Sequence, residues 1–339
     1  MHTARTVRRT IHWRWFFVLS LLISVHLWFL PGFTVAQEGA RDVVANLAAG
    51  RVVIGVAEGG IVIGVTGASA SNAELSSHPP LVLPLGGRRV AVLLGAVEWI
   101  SPAGGRPPVR LDRELASLAS QSMRPRLGAE SERNASDIET LGVAMLEQLR
   151  AVTVGLHSKL DFKPDEALLD LILADYLEGY GAEVWLLRYR VAQDALRGEY
   201  WRTRVLRPSY TQLYPPEKGQ PRTLMEVRYP PDDPAPALLE LLRGNDPRLV
   251  KLGAGDPHTA RAIQAIVRGE SHKAPVKDLA DLLHGALDAT SAANTKLVLG
   301  VLQEQRGFEW ILAPPQPPQK AQEGKPRDPG APTLKRPPQ

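Results

Sequence analysis

The stretch RVVIGVAEGGIVIGV, residues 51–65, decides the fold class. It holds two runs rich in β-branched residues, Val52–Val56 and Ile61–Val65, joined by the turn sequence AEGG. The two glycines of this turn supply the positive φ values that a tight hairpin connection needs. Both runs are apolar nearly throughout, and strands without polar alternation are covered on both faces. The stretch therefore predicts a β-hairpin at the centre of a sheet.

The amino terminus has the pattern of an export signal over residues 1–36. A basic segment precedes the apolar run Trp15–Leu30, and the sequence Thr-Val-Ala ending at Ala36 places small residues suitably for a cleavage ahead of Gln37. The apolar run is shorter than the roughly 20 residues that cross a bilayer. An uncleaved membrane anchor is the alternative. In both cases the rest of the chain is expected outside the cytoplasm, in the periplasm or the extracellular space.

Composition excludes several classes of function. The 339 residues include no cysteine, which excludes a disulfide framework, a thiol nucleophile and a cysteine-based zinc site. The net charge is +4, but much of the positive excess lies in the two ends, and no basic patch with interleaved aromatic residues indicates nucleic-acid binding. Residues 314–339 are rich in proline and lysine. This predicts a disordered tail, either a spacer or a ligand for a proline-reading domain.

Segregated strands and helices follow the hairpin. Further strands are predicted at Leu81–Leu85, Val90–Ile100, Ala167–Leu177, Ala182–Val191 and, as a last hairpin, Leu297–Leu312. Helical spacing of apolar residues predicts helices after Pro108, from Ser136 or Asp137, and over residues 237–242, 258–267 and 276–290. The proline-rich residues 207–236 are interpreted as a surface excursion. This order favours an α+β architecture over alternating βαβ units.

Four segments, in this order, resemble the proteasome-subunit branch of the N-terminal-nucleophile (Ntn) hydrolases. They are the opening hairpin, LVLPLGGRRVAVLLG, DLILADYLEGYGAEVWLLRYR followed by GEY, and VKDLADLLHGALDATSAANTKLVLGVLQEQRGFEWI. The resemblance implies an αββα four-layer sandwich, in which two antiparallel sheets face each other and helices lie outside. It implies a single domain over residues 37–313 with an insert at about 207–270. Such subunits commonly form rings, so the resemblance also implies self-association.

The family's chemistry needs an N-terminal Thr, Ser or Cys whose own α-amine serves as base. It also needs a lysine, an aspartate that orients this lysine, and a backbone N–H as oxyanion donor. The resemblance puts Ala49, Gly50 and Arg51 at the nucleophile, Leu81 at the lysine, Thr66 at the aspartate and Gly95 at the oxyanion donor. Only the glycine matches. The chain is therefore expected to lack the family's catalytic residues.

Other patterns of chemistry are weak in this sequence. Thr66 and Ser69 are the internal hydroxyl residues that an active enzyme would use, but no GxSxG elbow occurs and the run around Ser69 is typical of a flexible loop. The histidines show no HExxH or HxH spacing, the acidic residues no calcium-loop spacing, and the glycine-rich turns no phosphate-binding motif. The sequence predicts no metal and no cofactor.

Aromatic residues and arginines concentrate between residues 176 and 214. A strand here would present an Arg and aromatic face at a sheet edge, and such side chains are enriched in the hot spots of protein interfaces. The alternative is an edge strand whose charges prevent aggregation. The residues predicted to form the interface are Tyr189, Arg190, Tyr200, Trp201, Arg202 and Arg204.

These observations favour an exported, non-catalytic, proteasome-subunit-like module of the cell envelope. Its expected partners are an envelope protein or further copies of the same chain. No nucleic-acid partner is predicted, and membrane contact is predicted only if the N-terminal segment stays uncleaved. One alternative is an Ntn-type amidohydrolase or peptidase that uses an internal or newly exposed Thr or Ser. Another is an unrelated α+β envelope protein.

Overall fold

The chain forms thirteen strands and six α-helices within the part that the structure describes. This computed structural model describes residues 44–67, 78–100, 109–122, 131–153, 167–177, 179–195, 201–216, 224–231, 235–291 and 295–314. All of them lie in one compact unit, Val43–Gln339. The predicted export signal, residues 1–36, and nearly all of the predicted tail lie outside the described residues.

The elements follow one another in a mixed order. The strands are β1 (Val44–Ala48), β2 (Gly50–Ala57), β3 (Gly60–Gly67), β4 (Leu81–Pro84), β5 (Arg89–Ile100), β6 (Val109–Arg110), β7 (Ala167–Leu177), β8 (Gly181–Ala195), β9 (Trp201–Val205), β10 (Ser209–Tyr214), β11 (Leu224–Tyr229), β12 (Leu297–Gln303) and β13 (Gly307–Leu312). The helices are α1 (Leu111–Ser122), α2 (Ser131–Thr153), α3 (Leu238–Arg243), α4 (Pro247–Gly255), α5 (Pro257–Val267) and α6 (Val276–Thr290). A 3₁₀ turn, Ser271–Lys273, precedes α6.

The strands form two antiparallel sheets. The first has the order β1-β5-β7-β8-β10, with β4 and β6 also paired to β5 and β9 paired to β8. The second has the order β11-β2-β3-β12-β13. The predicted hairpin is therefore confirmed as β2 and β3, at the centre of the second sheet, where Arg51 pairs with Thr66 and Ala57 with Gly60. The α+β class predicted from the sequence is confirmed.

Three groups of buried apolar side chains hold these elements together. The first joins the first sheet to α1 and α2 and includes Leu93 and Leu141. The second is built from both sheets and includes Ile63 of β3 and Leu94 of β5. The third joins the second sheet to α3, α4, α5 and α6 and includes Leu283. Side chains on one face of each sheet thus belong to the group that contains residues of both sheets. Side chains on the opposite face belong to a group shared with helices.

Helix α6 lies close to the central hairpin because two glycines leave room for it. A Cβ at Gly55 would lie 2.8 Å from Cδ2 of Leu279, and a Cβ at Gly64 would lie 2.4 Å from Cδ1 of Leu287. Together with Leu283, these leucines recur every four residues and so share one face of the helix. The glycines that interrupt the β-branched runs therefore mark the contact line of a helix.

Residues 207–236 are more than a surface excursion. Strand β10 pairs with β8, and β11 pairs with β2. Leu224, Met225 and Val227 of β11 are buried. The expectation of a surface excursion is wrong for β11, because apolar residues within LMEVRY complete the second sheet despite the surrounding prolines. The residues of β10 are exposed or half-buried at the end of the first sheet. Helix α4 was also not predicted from the sequence.

Candidate functional site

The positions that the family resemblance assigns to catalysis lie together where the two sheets are connected. Strand β1 of the first sheet leads into β2 of the second through Ala49 alone. On one side of this link Ala48 pairs with Gly95 of β5. On the other side Arg51 pairs with Thr66 of β3. The topology therefore places the nucleophile, aspartate and oxyanion positions next to one another.

The backbone at the nucleophile position fits glycine and no larger residue. Gly50 has a φ of +145°, and a Cβ there would lie 2.0 Å from the carbonyl oxygen of Thr66. A Thr or Ser side chain at this point would force the β2–β3 ladder apart. The preceding Ala49 is buried and carries no functional group. Leu81, at the lysine position, pairs with Leu93 and packs in the apolar group beneath α1 and α2.

The chain upstream of Gly50 is held by backbone hydrogen bonds. Strand β1 pairs along its whole length, Val44–Ala48, with β5. The N–H of Ala49 donates to the carbonyl oxygen of His78 at 3.0 Å, and the N–H of His78 donates to the carbonyl oxygen of Leu47 at 3.3 Å. A hydrolase that uses its own α-amine needs a chain end at the nucleophile. A continuous, paired backbone occupies that place here.

Arg51 belongs to a largely buried ion network between the second sheet and α6. Its Nη2 donates to Oγ1 of Thr290 at 2.9 Å, and its Nη1 lies 3.9 Å from Oε1 of Glu226. Nε of Arg228 donates to the same oxygen at 2.7 Å. The other oxygen of Glu226 accepts the backbone N–H of Leu238 at 2.7 Å. The network ties β2, β11, α3 and α6 together, which gives Arg51 a structural role.

Thr66 and the matching glycine, Gly95, are packed between strands. Thr66 is 3% exposed and lies between β2 and β12, opposite Arg51 and Leu297. Ser69 lies outside the described residues. Gly95 has a φ of +97°, and a Cβ there would lie 2.4 Å from the carbonyl oxygen of Leu168 in the neighbouring strand. Strand packing therefore accounts for this glycine without a catalytic role.

Tyr189, predicted at the interface, is instead fully buried. Its hydroxyl donates to the carbonyl oxygen of Gly142 in α2 at 3.0 Å. Burial raises the pKa of this phenol well above its ordinary value, with a smaller contribution from Tyr210. The prediction is wrong for Tyr189, because its side chain points to the face of β8 that α2 covers. Aromatic density alone does not reveal that helix.

Of the remaining predicted interface residues, Arg204 of β9 is exposed. Its Nη2 lies 3.5 Å from Oδ2 of Asp194 across the β8–β9 pair, and both side chains are more than half exposed. Such an exposed pair contributes little to stability. Tyr200 lies outside the described residues. Trp201 and Arg202 lie in β9, paired with the end of β8.

A buried ion pair that the sequence analysis did not single out lies beside Arg190. Asp170 of β7 is fully buried, and Arg188 of β8 holds it with two hydrogen bonds. Nε donates to Oδ1 at 2.8 Å and Nη2 donates to Oδ2 at 2.7 Å. Burial raises the pKa of Asp170, and the hydrogen bonds and charge of Arg188, together with the charge of Arg190, oppose this effect. The pair belongs to the face of β7 and β8 that meets the second sheet.

The sequence did contain a signal for this ion pair. Asp170 interrupts the apolar run ALLDLILADYL, and a charged residue inside such a run needs a partner. Counting outward along the hairpin from Leu177 and Gly181, which face each other, places Arg188 opposite Asp170. The register of a hairpin follows from its turn. Screening the acidic residues only for calcium-loop spacing did not reveal the pairing of Asp170 with Arg188.

The described residues bring no three His, Cys, Asp or Glu side chains together in a way that could hold a metal ion. None of the helices that the structure describes has both the length and the apolar character needed to span a bilayer. A scan of the sequence against protein-family models finds no matching family, and a search among curated proteins finds no match.

Proposed function

We propose that this chain is a non-catalytic binding or assembly module with a proteasome-subunit-like fold. The observation that carries the proposal is the nucleophile position itself. Gly50 has no room for a side chain, and the backbone before it is paired with β5. Arg51 is engaged by Thr290 and Glu226. None of the residues at this place, Ala49, Gly50 and Arg51, offers the hydroxyl or thiol that the Ntn route needs.

The proposed fold is a four-layer αββα sandwich. Its layers would be α1 with α2, the first sheet, the second sheet, and α3 to α6. The three buried groups support this order, because one group contains residues of both sheets and the other two each combine one sheet with helices. The central position of β2 and β3 in the second sheet agrees with the hairpin that carries the family resemblance.

The proposed setting is the cell envelope, since the leader has the pattern of an export signal. The proposed contact surface is formed by residues 191–195 of β8 and by β9, which includes the exposed Arg204. Its partner is an envelope protein or a further copy of the chain. Arginine is enriched in protein interfaces, and β9 carries Arg202 and Arg204.

The test of the non-catalytic reading is covalent labelling of the exported protein with a broad electrophilic probe for Ser and Thr hydrolases. Intact-mass analysis of the same sample also gives the mature amino terminus. We expect no adduct and a mature end that is neither Thr nor Ser. The competing Ntn-type amidohydrolase requires an adduct that disappears in Thr66→Ala or Ser69→Ala. An adduct of this kind would overturn the proposal.

Assembly is tested by sedimentation velocity over a range of protein concentrations. We expect a species larger than a monomer, and we expect Arg204→Glu to weaken its formation because the substitution reverses charge on the proposed surface. The matched control is Arg306→Glu, another exposed arginine, in the turn between β12 and β13. Equal loss in both variants, or none in either, would contradict the assignment of this surface.

A further inference from the structure

Arg190 contains a buried hydrogen-bond donor without an acceptor. The residue is half-buried in β8, and its Nε is shielded from solvent with no hydrogen-bond partner among the described residues. The large majority of buried side-chain polar atoms in native proteins have a hydrogen-bond partner. A guanidinium N–H is a strong, permanently charged donor. Arg190 therefore indicates an acceptor supplied from elsewhere.

The carboxylate of Asp170, whose pKa the charge of Arg190 lowers, is already used. Both oxygens of Asp170 accept hydrogen bonds from Arg188 in a two-pronged geometry. Arg190 is near enough for its charge to lower the pKa of Asp170, but the described contacts include no hydrogen bond between them. Two guanidinium groups thus lie near one carboxylate, and Arg188 takes its hydrogen bonds. This leaves one positive charge in a partly desolvated place, where charge is costly unless it is paired.

The two arginines are placed to share a further ligand. Arg188 and Arg190 are two residues apart and so lie on one face of β8, about 6.5 Å from each other along the strand. Arg188 is 26% exposed and holds Asp170 with Nε and Nη2, so its Nη1 takes no part in binding that carboxylate. A planar carboxylate fits between neighbouring guanidinium groups because each of its oxygens can accept from one of them.

We propose that Arg190 and Arg188 form a binding site for a monocarboxylate, with Asp170 holding Arg188 in position. The charge count selects this chemistry: one negative charge neutralises the group, whereas a phosphate dianion would exceed it and would lie near Asp170. The inference goes beyond the proposed function, because it assigns a ligand chemistry that holds whether or not the chain assembles. The carboxylate belongs either to a small acid or to the carboxyl terminus of a peptide.

The experiment follows the Nε–H resonances of arginines in the ¹⁵N-arginine-labelled chain during titration with sodium acetate. Sodium chloride at equal ionic strength is the reference titration. We expect the Arg190 resonance to shift and to saturate with acetate, and to move little with chloride. Arg190→Gln should weaken acetate binding, read from the remaining Arg188 resonance, by about tenfold or more. Arg306→Gln, which removes an exposed arginine in the turn between β12 and β13, should leave binding unchanged.

A second variant keeps the test decisive if Arg190→Gln does not fold. Arg190→Lys keeps the charge but loses the planar fork, and we expect acetate binding weaker than in the wild type. N-acetyl-Gly-Gly-Ala, with a free carboxyl terminus, and its terminal amide identify the source of the ligand. Tighter binding of the free peptide than of acetate indicates a chain end, and binding of acetate alone indicates a small acid. An Arg190 resonance that responds equally to acetate and chloride, or more strongly to phosphate, would overturn the proposal.

Discussion

Replacing Gly95 with alanine tests whether this glycine is required by packing. Its φ of +97° is unfavourable for any residue with a Cβ, at about 1–2 kcal/mol. The new Cβ would also lie 2.4 Å from the carbonyl oxygen of Leu168 and 3.1 Å from Cα of Leu169. Both neighbours are backbone atoms of a paired strand, so relief requires β5 and β7 to separate. Such overpacking typically costs a further 1–3 kcal/mol or so. We expect Gly95→Ala to lower the free energy of unfolding by about 3 kcal/mol.

The matched control is Gly86→Ala. Gly86 has a φ of +87°, and no atom lies within 4 Å of the Cβ that the substitution would add. This variant carries the backbone penalty without the contact, so we expect a loss of about 1–2 kcal/mol. Equilibrium urea denaturation followed by far-UV circular dichroism measures both variants, and unchanged m-values are required for the comparison. Equal losses in the two variants would refute the steric reasoning and would reopen a functional account of Gly95.

Three further substitutions test other parts of the structure. Tyr189→Phe removes the hydrogen bond to the carbonyl oxygen of Gly142 and should lower the free energy of unfolding, measured by urea denaturation, by about 1 kcal/mol. An unchanged free energy of unfolding would contradict this hydrogen bond. Leu283→Ala opens a cavity between α6 and the central hairpin and should cost about 2–5 kcal/mol by the same measurement, whereas a loss well below this range would contradict the packing of α6. The Arg248 hydrogen bonds lower the pKa of Asp246, the residue that caps α4, from 3.8 to about 2. Its stabilising contribution is therefore present above about pH 4 and is lost as the pH falls through 2, so melting temperatures of Asp246→Asn should depend less on pH over this range than those of the wild type. Parallel curves would contradict this account.

The parts of the fold that the sequence predicted are those with strong local patterns. The β-branched runs around the AEGG turn gave β2 and β3, and the leucine spacing of residues 276–290 gave α6. In both cases the pattern of side chains along one element determines the face that is buried. These predictions needed no knowledge of distant residues.

The failures share a different cause, because they depend on which element covers which face. Strand β11 is short and flanked by prolines, and only its pairing with β2 shows that it belongs to a sheet. Tyr189 lies in a strand that the sequence predicted, but the helix that covers its face is distant in sequence. Gly142 allows α2 to approach, since a Cβ there would lie 2.5 Å from the hydroxyl of Tyr210. Such contacts arise from tertiary packing.

The residues of the candidate site also divide into those that the sequence predicted and those that depend on tertiary packing. The sequence showed which catalytic residue types are absent at the positions given by the resemblance. It did not show that a paired strand precedes Gly50, because β1 is held mainly by a strand about fifty residues later in the chain. The Asp170 and Arg188 pair was accessible from hairpin register, whereas the unpaired Nε of Arg190 was not, since solvent shielding depends on the whole fold.

The single-residue link at Ala49 has a mechanical consequence. Strand β1 runs antiparallel to β5, and it passes directly into β2 at the centre of the other sheet. A motor that pulls the chain from its amino end would first detach β1 from β5, and the load would then reach β2, which has a partner strand on each side. We expect a force trace to show an early, low-force extension followed by one large rupture. Resistance to such pulling would therefore reside in the β2–β3 hairpin.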